Sequence, residues 1–148
     1  MRSRLDLIAT SYRRLTGREL AAPAADIAHT LWTAPRAIVA HDRQADPGFF
    51  FGNRVALDHF EMPFEHFTAM PSRLSAEPML REERQALLDQ VARNGFVDNI
   101  AGIRISATGR RFHIERVTVW NLIDEHGDVH GQAATFDCRA DLLPGPVP

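Results

Sequence analysis

The chain has 148 residues, 45% hydrophobic and 24% charged, which suits one globular core and excludes a disordered chain, a collagen-like rod or a coiled coil. Nineteen acidic against seventeen basic side chains leave a formal net charge of −2, without the positive excess of a phosphate-backbone binder, so no nucleic-acid partner is expected. All seventeen basic residues are arginine, and the lack of lysine excludes Schiff-base chemistry and the G-x-x-x-x-G-K-[ST] phosphate loop.

Ser3 can cap a first helix in which Leu5, Ile8, Tyr12 and Leu15 recur every three or four positions, with Gly17 at its end. Ala24 to Thr33 reads as a second short helix with Ile27, Ala28, Leu31 and Trp32 on one stripe, and Pro35 stops it. Ala37 to Ala40 is predicted as a buried strand, His41 to Gly48 as a polar turn and Phe49 to Phe51 as a second strand, which together make a hairpin. After Gly52-Asn53 the spacing becomes helical, with Val55, Ala56 and Phe60 turned inward, until Pro63 interrupts it. Pro63 to Glu77 has no firm period. Pro78 to Asn94 is predicted as a helix: Pro78 suits a first helical position, Leu80, Arg84, Leu87 and Val91 share a face, and Gly95 can terminate it.

From Phe96 the pattern is that of antiparallel strands. Phe96–Ile100, Gly102–Ser106, Arg111–Ile123 and Val129–Phe136 are the predicted runs, with turns at 107–110 and 124–127. Helices gathered before and between about five strands indicate an α+β arrangement, not β-α-β alternation. The expected organisation is a helical N-terminal extension over 1–35, a domain over 36–138 and a proline-rich tail over 139–148. The single cysteine, Cys138, falls just past the last predicted strand and can form no intrachain disulfide. No apolar run approaches the ~20 residues that cross a bilayer, and Met1-Arg2-Ser3-Arg4 is not followed by a signal-peptide core. A cytoplasmic protein with no membrane partner is expected.

Phe49-Phe50-Phe51-Gly52-Asn53-Arg54-Val55-Ala56-Leu57-Asp58-His59-Phe60 resembles the strand–Asn–helix passage near the start of a PAS domain, and Gly102 to Phe112, Trp120 to Gly127 and Gly131 to Ala133 resemble its closing strands. More narrowly, Leu31-Trp32-Thr33-Ala34-Pro35-Arg36, Pro71-Ser72-Arg73-Leu74-Ser75-Ala76-Glu77-Pro78 and Ser106-Ala107-Thr108-Gly109-Arg110-Arg111-Phe112 are similar to the MEKHLA family, a PAS-like domain. That family stands alone in bacteria and forms the C-terminus of plant class III homeodomain–leucine zipper transcription factors. The resemblance covers roughly residues 11 to 137. It implies a PAS-like five-stranded antiparallel sheet with helices on one face and no attendant catalytic constellation. The stand-alone bacterial form is the expected counterpart, a sensor-like part with no output domain left over in 148 residues.

PAS-like domains commonly hold a small molecule between sheet and helices. The residues this implies for ligand binding are Asn53, Arg73, Arg104, Trp120, Asn121 and Gln132, since a few convergent polar groups orient a ligand in an apolar pocket and arginine grips carboxylates bidentately. Structural roles compete: Asn53 can cap the following helix, Arg73 can pair with Glu77, and Trp120 can fill the core. The ligand or cofactor itself is unknown. His59 and His66 are seven apart with Pro63 between them, and His126 and His130 flank a turn, so no metal or haem site is expected. A reactive cysteine in the helical motif of flavin-binding light sensors is missing. No G-x-S-x-G elbow or G-x-G-x-x-G turn is present, Asp98 and Glu115 show no sign of acting as paired carboxylates, and an enzyme built on Arg73, His113 and Glu115 is the least favoured reading. The expectation is thus a non-enzymatic sensor or regulatory module, expected to be homodimeric. The alternative is a ligand-free protein-interaction (dimerisation) module that docks a partner through its sheet or its first helix.

Overall fold

The computed structural model describes residues 4–21, 26–75 and 81–139. One antiparallel sheet of five strands, β1 (Ala37–His41), β2 (Phe49–Gly52), β3 (Phe96–Ile105), β4 (Arg111–Ile123) and β5 (Val129–Arg139), is ordered β2-β1-β5-β4-β3. The last strand therefore lies at the centre, between the opening hairpin and the closing meander. Helices α1 (Arg4–Thr16) and α2 (Ile27–Trp32) precede the sheet. Between β2 and β3 come α3 (Arg54–Phe60), α4 (Phe64–Phe67), a 3-10 turn at Ser72–Ser75 and α5 (Arg81–Asn94). Ser3, Ala24, Glu77, Pro78, Leu80 and most of the predicted proline-rich tail lie outside the described residues.

Helices cover both faces of the sheet, and the alternation of the strands decides which residues meet them. Val39, Phe49, Val117, Val119 and Phe136 point to an inner face, packed against Leu57 and Phe60 of α3, Phe67 of α4 and Val91 of α5. Ile38, Ala40, Phe51, Trp120 and Leu122 point to the outer face, packed against Leu7, Ile8 and Tyr12 of α1 and Leu31 of α2. Burial on both faces gives β1 and the second half of β4 continuously buried, largely apolar runs. Trp120 is wholly buried beneath α1, with Tyr12 edge-on at 4.8 Å and its indole N–H donating to the Ile8 carbonyl at 3.2 Å.

Three predicted boundaries differ. Phe96–Ile100 and Gly102–Ser106 form one strand, β3, whose register slips on either side of Ile100 where Asn99 takes a positive φ of 55°. The apparent break is a bulge, which leaves pairing intact beyond it. His41 belongs to β1, opposite Phe49, and not to the turn, because a register shift between Ala40 and His41 carries the hairpin one residue further. β5 likewise runs on to Arg139, so Cys138 lies inside the strand opposite Ile114.

Candidate functional site

Between the inner sheet face and α5 lies a cavity of about 50 Å³, lined by Val39, Phe49, Phe60, Val117 and Phe136 and by the polar side chains of His41, Ser75, Arg84, Arg104 and Gln132. Arg84, Leu87, Arg104, Ile114 and Val117 also border an adjoining cleft of about 210 Å³, with Glu83 at its rim. The two arginines thus line both the inner cavity and the cleft.

Arg84 comes from α5, on the face carrying Leu87 and Val91. Arg104 comes from β3, two residues after Gly102, and its guanidinium donates to the Ile103 carbonyl at 2.8 Å. A Cβ at Gly102 would sit 3.3 Å from that guanidinium, so the glycine keeps the strand surface clear for it. Burial pulls both guanidinium pKa values down to about 10, with the neighbouring Arg104 charge a smaller contribution at Arg84. Both remain protonated at neutral pH, and neither has a carboxylate partner among the described residues. His41 is buried, which holds its imidazole pKa below the ordinary value. The neutral ring directs Nδ1 at the Asp42 carbonyl, 2.9 Å away, so Nδ1 carries the proton and Nε2 is a bare acceptor. That Nε2 is buried with no hydrogen-bond partner among the described residues.

Of the six residues expected at a site, Arg104 and Gln132 line the inner cavity. Gln132 faces Asn121 across β5 and β4; its amide donates to Asn121 Oδ1 at 3.2 Å and to the Leu88 carbonyl at 3.0 Å. Asn121 in turn donates to the Val91 carbonyl at 3.2 Å. This pair fastens α5 to the sheet and fixes the roof of the cavity. Asn53 lies away from it, at the N-cap of α3, with its amide wholly engaged by backbone. Trp120 lies on the opposite sheet face. Arg73 is at the surface on the 3-10 turn, paired with Asp46 at 3.1 Å; its expected partner Glu77 lies outside the described residues. Arg84 and His41 line the site without standing out in the sequence as ligand-binding residues. The one signal for Arg84 is a charge on the apolar stripe of its helix.

Asp98 is bound by Arg18 and Thr118, and Arg73, His113 and Glu115 do not line the inner cavity. No cluster of three metal-ligating side chains occurs among the described residues. The Cys138 thiol, half-buried beside Asp137, has its pKa pushed up to about 12, chiefly by burial. Because only the thiolate is nucleophilic, Cys138 is expected to react with iodoacetamide at pH 8 at least about a hundredfold more slowly in the folded chain than in urea. Mass spectrometry of timed samples measures both rates, and equal rates would refute this placement.

Comparison with known proteins gives concordant results. The MEKHLA domain family matches residues 2–139. Among curated proteins, Homeobox-leucine zipper protein ATHB-15 of Arabidopsis thaliana is 28% identical over 127 residues, covering 83% of this chain and 15% of that protein. ATHB-9 of the same plant is 30% identical over 95 residues, covering 62% and 11% respectively. The chain therefore spans only a small part of each relative's length. These relatives are plant proteins, which corrects the expectation of a bacterial form. Among solved structures, a PAS domain from Colwellia psychrerythraea superposes with a TM-score of 0.67 at 16% identity, over 76% of this chain and 93% of that one. A light-oxygen-voltage domain gives 0.62 at 15%, over 75% and 82%. The PAS domain of a LuxR-family transcriptional regulator from Burkholderia thailandensis, in complex with ethanol, gives 0.60 at 17%, over 76% and 96%. The fold is PAS-like, and among the described residues no helix is long and apolar enough to cross a membrane.

Proposed function

The chain belongs to the MEKHLA domain family, and from that we propose that it is a non-enzymatic sensory or regulatory module that holds a small molecule between its sheet and α5. The observation that carries this reading is the inner cavity, apolar in its walls yet furnished with Arg84, Arg104, His41 and Gln132. An apolar cavity with a few convergent polar groups is the usual form of a small-molecule site. The ethanol held by the Burkholderia PAS domain supports a ligand of small size. In this reading Arg104 and Gln132 face the ligand, Asn121 holds the roof, and Asn53, Arg73 and Trp120 support the scaffold.

The packing of Leu7, Ile8 and Tyr12 against this chain's own sheet supports an intrachain role for the apolar stripe of the first helix.

Native mass spectrometry after gentle purification, with a thermal-shift screen of small anions, cations and neutral compounds, tests the proposal. A bound mass lost on denaturation, or a rise in Tm with at least one class, is expected. No bound mass and no shift with any class would overturn it.

A further inference from the structure

Granted that the inner cavity binds a small molecule, we propose that its ligand class is a short carboxylate bearing a hydroxyl. The carboxylate lies between the Arg84 and Arg104 guanidiniums, and the hydroxyl donates to His41 Nε2.

Three independent features of the cavity converge on this chemistry. The first is charge: two half-buried guanidiniums from different elements line one compartment without a carboxylate of their own among the described residues. Glu83, at the rim of the adjoining cleft, is exposed and pairs with neither. Like charges placed together in a low-dielectric site are costly, and an anion between them removes that cost. Guanidinium also offers the planar donor fork that a carboxylate matches bidentately. The second feature is His41 Nε2, an acceptor sealed from solvent beside Arg84 and satisfied by nothing in the described chain. It calls for an O–H or N–H on the ligand, and a hydroxyl is the smallest group that supplies one. The third is size. The compartment walled by Val39, Phe49, Phe60 and Phe136, about 50 Å³, has room for about three or four water-sized groups, so the part of the ligand seated in it is a few carbons at most.

Five probes at matched ionic strength separate these elements on the full chain: lactate, propionate, propionamide, 1,2-propanediol and inorganic phosphate. Binding is followed by thermal shift and titration calorimetry. The expected order is lactate above propionate, with propionamide, propanediol and phosphate giving no shift. Each of Arg84→Gln and Arg104→Gln is expected to weaken lactate about ten- to a hundredfold, as losing a charge-assisted hydrogen bond does. Without ligand, both variants should melt no lower than the parent chain, because each removes an unneutralised, half-buried charge that faces another; a purely structural arginine would lower the Tm instead. Propionamide shifting the Tm as much as propionate would overturn the anion assignment while leaving a small-molecule site in place, and shifts with phosphate alone would overturn the carboxylate. Equal affinity for lactate and propionate would remove His41 from the site. Silence with all five probes, where the broader screen does find a binder, overturns this inference alone. Silence in both experiments overturns the small-molecule reading as well. The parent chain's ligand order decides the matter even if an arginine variant does not fold.

Discussion

Replacing Asn53 with alanine is expected to lower the free energy of unfolding by about 3–5 kcal/mol, a large part of the 5–15 kcal/mol typical of a domain this size. The wholly buried Asn53 amide is the junction of four segments. Its Oδ1 accepts from the Ile38 N–H at 3.0 Å and the Ala56 N–H at 3.1 Å, and its Nδ2 donates to the Leu31 carbonyl at 3.2 Å and the Arg36 carbonyl at 2.8 Å. Alanine removes the partner of two donors and two acceptors where water is excluded, of which the Leu31 carbonyl alone keeps another, the Ala34 N–H at 3.4 Å; the losses cost about 1–3 kcal/mol each and less than additively. Loss of the α3 N-cap is part of that cost. Asn53→Asp is the informative companion: it keeps both accepted bonds but loses both donated ones and buries a charge, so it should destabilise comparably at pH 7. Urea unfolding followed by circular dichroism measures both, and a loss below about 1 kcal/mol for Asn53→Ala would show the four bonds to be weak.

The same residue shows what is legible in the sequence. An asparagine between a strand and a helical run reads as an N-cap, and that local role is present; the three further bonds depend on where α2 and β1 come to rest, which no local signal reports. The closing meander and the roof helix are legible for the same local reason: strand runs bounded by turn residues, and a stripe of Leu87 and Val91 ending at Gly95. What cannot be deduced is which face a residue occupies on a strand buried on both sides. Trp120 and Val119 are both apolar and both buried, yet one meets α1 and the other the inner core. Continuous burial erases the alternation that would distinguish them. The candidate site is less visible still. Arg84, Arg104 and His41 come from α5, β3 and β1, and they meet only through the sheet order β1-β5-β4-β3, the seating of α5 on that sheet and the register shift that carries His41 into β1. All three arrangements belong to the assembled fold. His41 opens a run of turn-forming residues, so its local context points to solvent.

That register also sets the second large effect. Gly131→Ala is expected to cost about 3 kcal/mol or more and to abolish any ligand-induced thermal shift, because strain and overpacking act at the same atom. Gly131 adopts a φ of 150°, and a Cβ built on it would lie 2.2 Å from the His41 carbonyl oxygen and 3.2 Å from the Asp42 Cα. Both neighbours are backbone, so no side-chain rotation relieves the clash. The end of β1 must lift from β5, and the pairs it disturbs first are His41 with Gln132 and then Ala40 with Ala133. His41 and Gln132 line the inner cavity, and Gln132 also holds the Leu88 carbonyl of α5. One added methyl group therefore displaces an acceptor of the proposed site and loosens its roof together. Gly127→Ala is the matched control: Gly127 also has positive φ, 83°, but nothing lies within 4 Å of its Cβ position. Its cost should stay near about 1 kcal/mol, the strain of a left-handed backbone alone. Urea unfolding of the pair isolates the clash at Gly131 from the conformational term, and equal losses would mean that β1 can move off β5 freely. In that case His41 would not be fixed in the cavity, and the geometry on which its role in ligand recognition rests would be lost.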